Sequence, residues 1–143
     1  MTAGIAHGQP VPQGAYVAAK RHGNFIFTSG MTPRRDGVLM FEGPVRSDVG
    51  LETYEPAVVL AASNALAAAR NLLAEGEAIA TVVSLTVYIA AEAGFTGHSL
   101  LADYASRFLA EKLGPAGIGA RAAVGVATLP GNAPVEIQLV AAL

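Results

Sequence analysis

Apolar residues recur three and four positions apart between Glu52 and Glu75, at Val58, Ala61, Ala62, Ala65, Leu66, Ala69, Leu72 and Leu73. This spacing draws one apolar stripe along a helix. Pro56 falls in its first turn, where a missing amide hydrogen does little harm, and Gly76 supplies a stop. A second stripe, Leu101, Tyr104, Ala105 and Phe108, predicts a helix over about Thr96 to Leu113 that ends at Gly114-Pro115, with Asp103, Arg107 and Glu111 on its other side. Between the helices the run Thr81 to Ile89 alternates as a strand, with Val83, Leu85, Val87 and Ile89 on one face and Val82, Ser84, Thr86 and Tyr88 on the other. Near the start, Tyr16 to Lys20 and Phe25 to Ser29 predict a hairpin turning at Arg21-His22-Gly23-Asn24. At the end, Arg121 to Thr128 and Val135 to Leu143 predict another, turning over residues 129–134. The Pro- and Gly-rich stretch Met31 to Gly50 is a long connection, with one short strand near Val38 to Phe41, of the kind that often lies over a site or an interface.

Hairpin, helix, strand, helix, hairpin is the order of an α+β fold, a mixed sheet with both helices on one face. The other face then needs a partner. Composition strengthens that expectation, because 52% of the residues are hydrophobic and 14% charged, a poor supply of polar groups for a small surface. Part of the apolar surplus is expected in a subunit interface. At 143 residues the chain has room for one core, so residues 1–143 read as a single domain. The most apolar region, Ala57 to Leu73, is broken by Ser63, Asn64, Arg70 and Asn71 and reads as amphipathic rather than as a membrane span. The first residues lack the basic and apolar segments of a secretory leader, and there is no cysteine, which together predict a cytoplasmic protein without disulfides or thiolate chemistry. A net charge of −2, with cations spread along the chain, argues against nucleic acid as a partner.

Few residues offer chemistry. Strand alternation puts Arg121 on one face with Ala123, Gly125 and Ala127, a lone cation among small neighbours. Such a guanidinium either receives a carboxylate or phosphate or forms a structural ion pair. Glu136 is the only acid in the last thirty residues and is either a general acid/base or an ion-pair partner. A regular final hairpin sets the two roughly 20 Å apart, so only an oligomer brings them together. Ser29 and Gly30 end a strand with a hydroxyl and amides that face a ligand or anchor a turn, and Tyr16 either lines a pocket or starts the first strand. Ser29, His98 and Asp103 can be written as a triad, but no nucleophile elbow accompanies them. His7, His22 and His98 have no metal-ligand spacing, and no glycine loop for a nucleotide joins a strand to a helix, so neither metal nor cofactor is expected.

Three stretches together resemble the Rid family, also called YjgF and often labelled "endoribonuclease L-PSP": residues 12–16 (Pro-Gln-Gly-Ala-Tyr), residues 23–33 (Gly-Asn-Phe-Ile-Phe-Thr-Ser-Gly-Met-Thr-Pro), and residues 120–130 followed by Val135-Glu-Ile. The resemblance implies a chorismate-mutase-like fold and a homotrimer whose sheets form a central barrel, with ligand clefts between subunits. It also implies hydrolysis of reactive 2-imino acids to 2-keto acids and ammonia. Arg121 matches the residue that holds the substrate carboxylate and Glu136 the acid that positions water, helped by the backbone near Ala123. Tyr16, Ser29 and Gly30 match the pocket lining. Where active members carry a cysteine this chain has Ala123, and where they carry an asparagine it offers Ser99 or Asp103. Met31-Thr-Pro33 and the long Arg34 to Gly50 connection resemble a divergent branch, for which a trimer that binds small carboxylates without turnover is the alternative and ribonuclease activity a further, lesser one.

Overall fold

A two-residue loop starts the fold. Gly23, at φ +61°, occupies the first central position of the turn, where a hairpin of this length needs glycine. Strands β1 (Ala19–His22) and β2 (Phe25–Thr28) pair across it, with His22 opposite Phe25. The hairpin is therefore tighter than the four-residue turn expected, and Tyr16 lies before the first strand, not in it. The computed structural model describes residues 9–143, so His7 and the segment read for a leader lie outside the described residues.

The long connection holds a second small hairpin, β3 (Arg34–Arg35) and β4 (Val38–Leu39), with Asp36 at φ 52° and Gly37 at φ 81°. A 3-10 turn (Leu51–Tyr54) leads into α1 (Glu55–Arg70), with Pro56 in its first turn. Its buried side is mostly alanine, at positions 57, 61, 62, 65, 68 and 69, which lets the helix lie close to its neighbours. α1 ends five residues before Glu75: after its last α-helical bond, from the Asn71 amide to the Ala67 carbonyl, the Leu72 and Leu73 amides close tighter turns on Ala69 and Arg70. Strand β5 (Thr81–Ala90) precedes α2 (His98–Leu113), whose Leu101, Ala102, Ala105 and Leu109 are buried. Tyr104 and Phe108 pack at the margin of the core.

The closing hairpin is absent. Strand β6 (Ala120–Val126) runs parallel to β5, and β7 (Val135–Ala142) runs antiparallel to the other edge of β5, giving the order β1-β2-β7-β5-β6. The segment over residues 129–134 crosses the end of β5 rather than turning tightly, pinned by reciprocal bonds between Asn132 and Gly43 and by the Ala90 amide donating to the Pro134 carbonyl. A register shift in β5 between Val82 and Ser84 turns Val82 inward and leaves Val83 exposed, the reverse of plain alternation.

Both helices cover the face made by Ile26, Leu85, Val87, Ile89, Val135, Ile137, Leu139 and Ala141, all buried. The other face carries Phe25, Phe27 and Val124, each 38–46% exposed. The fold is the mixed α+β sheet with two helices on one face that the pattern predicts.

Candidate functional site

β6 is an edge strand, and its register with β5 sets Arg121, Ala123 and Gly125 opposite Leu85, Val87 and Ile89, on the helix-covered side. There Arg121 meets α2. Nη1 donates to Asp103 Oδ1 (2.8 Å) and Ser106 Oγ (3.0 Å), and Nη2 to the hydroxyl (2.9 Å) and carbonyl (3.1 Å) oxygens of Ser99. Ser99, Asp103 and Ser106 share one helix face because they lie four and three residues apart. Among the described residues Nε alone of the three guanidinium nitrogens has no partner. The structural ion pair weighed for Arg121 exists, and the guanidinium still opens on a cleft.

That cleft, of about 470 Å³, is lined by Thr96, His98, Ser99, Arg121, Ala123 and Gly125. Its floor is small by sequence, and the space is filled from one end by His98. A Cβ on Gly125 would lie 2.7 Å from His98 Nε2, so glycine is what lets the imidazole cross the strand. Phe95 holds the ring edge-on, with centroids 4.9 Å apart. His98 is a cleft residue that the sequence suggested only as a member of a triad without a nucleophile elbow and as a histidine without metal-ligand spacing. The signal for it was its position one helical residue before Ser99, at the start of the helix that clamps Arg121.

Glu136 is on the other side of the sheet, paired with Tyr88 in β5. Arg121 pairs with Leu85, so the two are three residues apart along the strands and two strands apart across them, about 14 Å from strand geometry. They do not meet within one chain. Burial raises the Glu136 pKa above its ordinary value, since the charged form loses hydration there. The carboxyl lies against Gly30, where a Cβ would fall 2.5 Å from Oε2. A bulge makes that approach possible: the Leu139 amide donates to Thr28 Oγ1, and Met31 pairs with Ile137, so three steps of one chain face two of the other.

Gly30 and Tyr16 line a second recess of about 290 Å³, with Asn64 and Leu60 from α1. Ser29 is turned away from it. Its amide donates to the Ala18 carbonyl and its hydroxyl to the Val17 carbonyl, which is the turn-anchoring role. The expected residues thus lie in two places, Arg121 and Ala123 at the edge cleft and Gly30 and Tyr16 at the second recess, with Glu136 against Gly30. Among the described residues no three His, Asp or Glu side chains gather where a metal ion could be held, and no helix is long and apolar enough to cross a membrane.

A mixed sheet with one face bare and a guanidinium set in a shallow edge cleft defines a class of small α+β proteins. The chain belongs to the Rid/YjgF family, whose description Endoribonuclease L-PSP matches residues 7–143. A solved structure of Agrobacterium tumefaciens Atu1372, a protein described as of unknown function, is 34% identical with a TM-score of 0.84, over 94% of this chain and 85% of that one. A Shewanella oneidensis MR-1 protein named as a candidate endoribonuclease is 26% identical, TM-score 0.86, over 94% and 89%. The YjgF gene product of E. coli shares the fold at 22% identity, TM-score 0.69, over 95% and 94%. Among curated proteins, none matches.

Proposed function

We propose that the chain hydrolyses 2-imino acids to 2-keto acids and ammonia in clefts between the subunits of a homotrimer, where Arg121 of one subunit faces Glu136 of the next. The observation that carries this reading is the setting of Arg121. Its guanidinium is fixed by α2, its Nε is uncommitted, and Ala123 leaves room above the strand for a carboxylate beside the His98 ring that lies over Gly125. A protonated imine is already electrophilic, so orientation and proton transfer suffice. Water adds to the imine carbon as its proton passes to Glu136. The nitrogen then takes that proton back from Glu136, and the C–N bond breaks as the hydroxyl proton of the carbinolamine passes to Glu136, releasing ammonia and leaving the keto acid. A carboxyl whose pKa is raised by burial is suited to hold and return that proton. The bare face bearing Phe25, Phe27 and Val124 supplies the apolar surface a trimer would bury. A reducing cytoplasm suits a chain without cysteine.

One observation favours a second reading, a carboxylate-binding trimer without turnover: the chain has Ala123 where active family members carry a cysteine. The ribonuclease activity in the family's description is the weaker reading for a chain of net charge −2. Ammonia release from freshly generated 2-iminopropanoate, compared between wild type and Arg121→Ala, separates them. Hydrolysis that falls at least a hundredfold in the variant is expected. A variant as active as wild type would defeat the mechanism, and pyruvate binding without hydrolysis would favour the binding protein.

A further inference from the structure

The edge cleft contains an imidazole that the proposed hydrolysis does not use. His98 is the first residue of α2, yet no side chain caps that helix, so the ring does not serve the helix start. Neither ring nitrogen has a hydrogen-bond partner among the described residues, and neither is cut off from solvent. With no bond to fix either nitrogen, the neutral ring is free to carry its proton on Nε2 and to donate from there.

The ring is nevertheless held in place. Phe95 meets it at a centroid distance of 4.9 Å and an interplanar angle of 71°. At its Nε2 end the strand gives way, since a Cβ on Gly125 would lie 2.7 Å from Nε2 and 3.3 Å from Cδ2. On the same face of β6, Ala123 comes between Gly125 and Arg121, two residues from each, which is roughly 6.7 Å along a strand. The guanidinium is drawn to Ser99, the residue after His98, where Nη2 bonds both Ser99 oxygens. A small anion over Ala123 therefore has the guanidinium on one side and the imidazole on the other, within one cleft. The two oxygens of a carboxylate suit two such donors.

We propose that His98 is a ligand-binding residue, its Nε2–H donating to the carboxylate oxygen that Arg121 leaves free. The proposal rests on the reading of Arg121 as the holder of the substrate carboxylate and adds a second, neutral donor to it. Donors from two elements, β6 and α2, fix the plane of the carboxylate as well as its position, and with it the direction in which the imine carbon is presented.

Calorimetric titration of the intact protein with pyruvate tests it. His98→Leu fills the space without a donor and should weaken binding roughly tenfold, whereas His98→Gln can present an N–H where Nε2 lies and should stay within about threefold of wild type. Gly125→Ala keeps the imidazole in the chain but forces it off the strand, and should weaken binding about as much as His98→Leu. The wild-type protein supplies a readout that packing alone would not move. The chain has three histidines, so the His98 ring signals in a nuclear magnetic resonance spectrum are those lost in His98→Gln, or those that survive in His7→Gln and His22→Gln, and its Nε2 signal should shift as pyruvate is added. Wild-type affinity in folded His98→Leu or Gly125→Ala, a His98→Gln protein as weak as His98→Leu, or a ring signal that bound pyruvate leaves unmoved overturns the proposal. Arg121→Ala separates it from the reading beneath it. Affinity lost in that variant and kept in His98→Leu removes His98 alone and leaves the hydrolytic reading standing, while affinity kept in both removes the carboxylate site and the proposal together. Ammonia release plays no part in these measurements, so a protein that binds without turnover still tests the contact.

Discussion

Arg121 reaches its cleft with Asp103 attached, so an incoming carboxylate must share the guanidinium with a charge the chain already supplies. The side chains are 20% and 38% exposed, which leaves the pair partly screened by water and the contest between the two carboxylates mild. Replacing Asp103 with Asn keeps an acceptor for Nη1 and removes the negative charge. Pyruvate should then bind about two- to fivefold more tightly at low salt, with little change in Tm. Weaker binding would mean that the charge of Asp103 is needed to hold Arg121 in place. A second ion pair is purely structural. Arg21 grips Glu77 through both terminal nitrogens, at 2.5 and 2.8 Å, and the same carboxylate accepts the Ala74 amide. Arg21 first, and that amide second, lower the Glu77 pKa from 4.5 to about 2. A depressed carboxylate pKa gives stability that is present above the unfolded value and lost as pH falls through the folded one. Glu77→Gln should therefore flatten the loss of Tm between pH 4.5 and 2, and an unchanged acid limb in thermal unfolding would contradict the assignment.

The elements bear on function mainly where they are irregular. The bulge between Thr28 and Met31 brings a glycine against the Glu136 carboxyl, and a Cβ there would fall 2.5 Å from Oε2 and 2.7 Å from Cδ. Gly30→Ala should push that carboxyl aside while leaving the strands paired, lowering imine hydrolysis about tenfold or more with a Tm shift of only a few degrees. Full activity in the variant would show that Glu136 has room to spare. The same irregularities mark where sequence reasoning stopped. Both helices, β5 and the first hairpin were legible because their periodicity extends over many residues and glycines punctuate it. The Asp36-Gly37 hairpin carried its signal in that dipeptide, but each strand is two residues long, too short to alternate. The exchange of Val82 for Val83 is a register shift that composition does not encode. The final pair of strands read as a hairpin because Pro130, Gly131 and Asn132 look like a tight turn, and only tertiary pairing inserts β5 between them. Arg121 and Glu136 could be picked out by type and spacing. The helix face that clamps the arginine could also have been found, because Ser99, Asp103 and Ser106 recur at helical spacing.

At the scale of the molecule, one chain holds Arg121 and Glu136 on opposite faces of its sheet, and the proposed reaction needs both. If they join across an interface, each working cleft takes its arginine from one subunit and its glutamate from another, which makes a quantitative test possible. Arg121→Ala subunits keep the glutamate half and Glu136→Gln subunits keep the arginine half, so each variant alone should be inactive. Unfolding the two together in equal amounts and refolding them mixes the subunits at random. A cleft is then intact when its arginine comes from a Glu136→Gln subunit and its glutamate from an Arg121→Ala subunit, each with a chance of one half. About a quarter of the wild-type ammonia release should return, independent of whether the closed ring has three subunits or another number. A site completed within one chain would return none, because every chain in the mixture lacks one of the two groups. Refolding each variant by itself gives the baseline, and a recovery near that baseline in a mixture of confirmed oligomers would place Arg121 and Glu136 in separate functions.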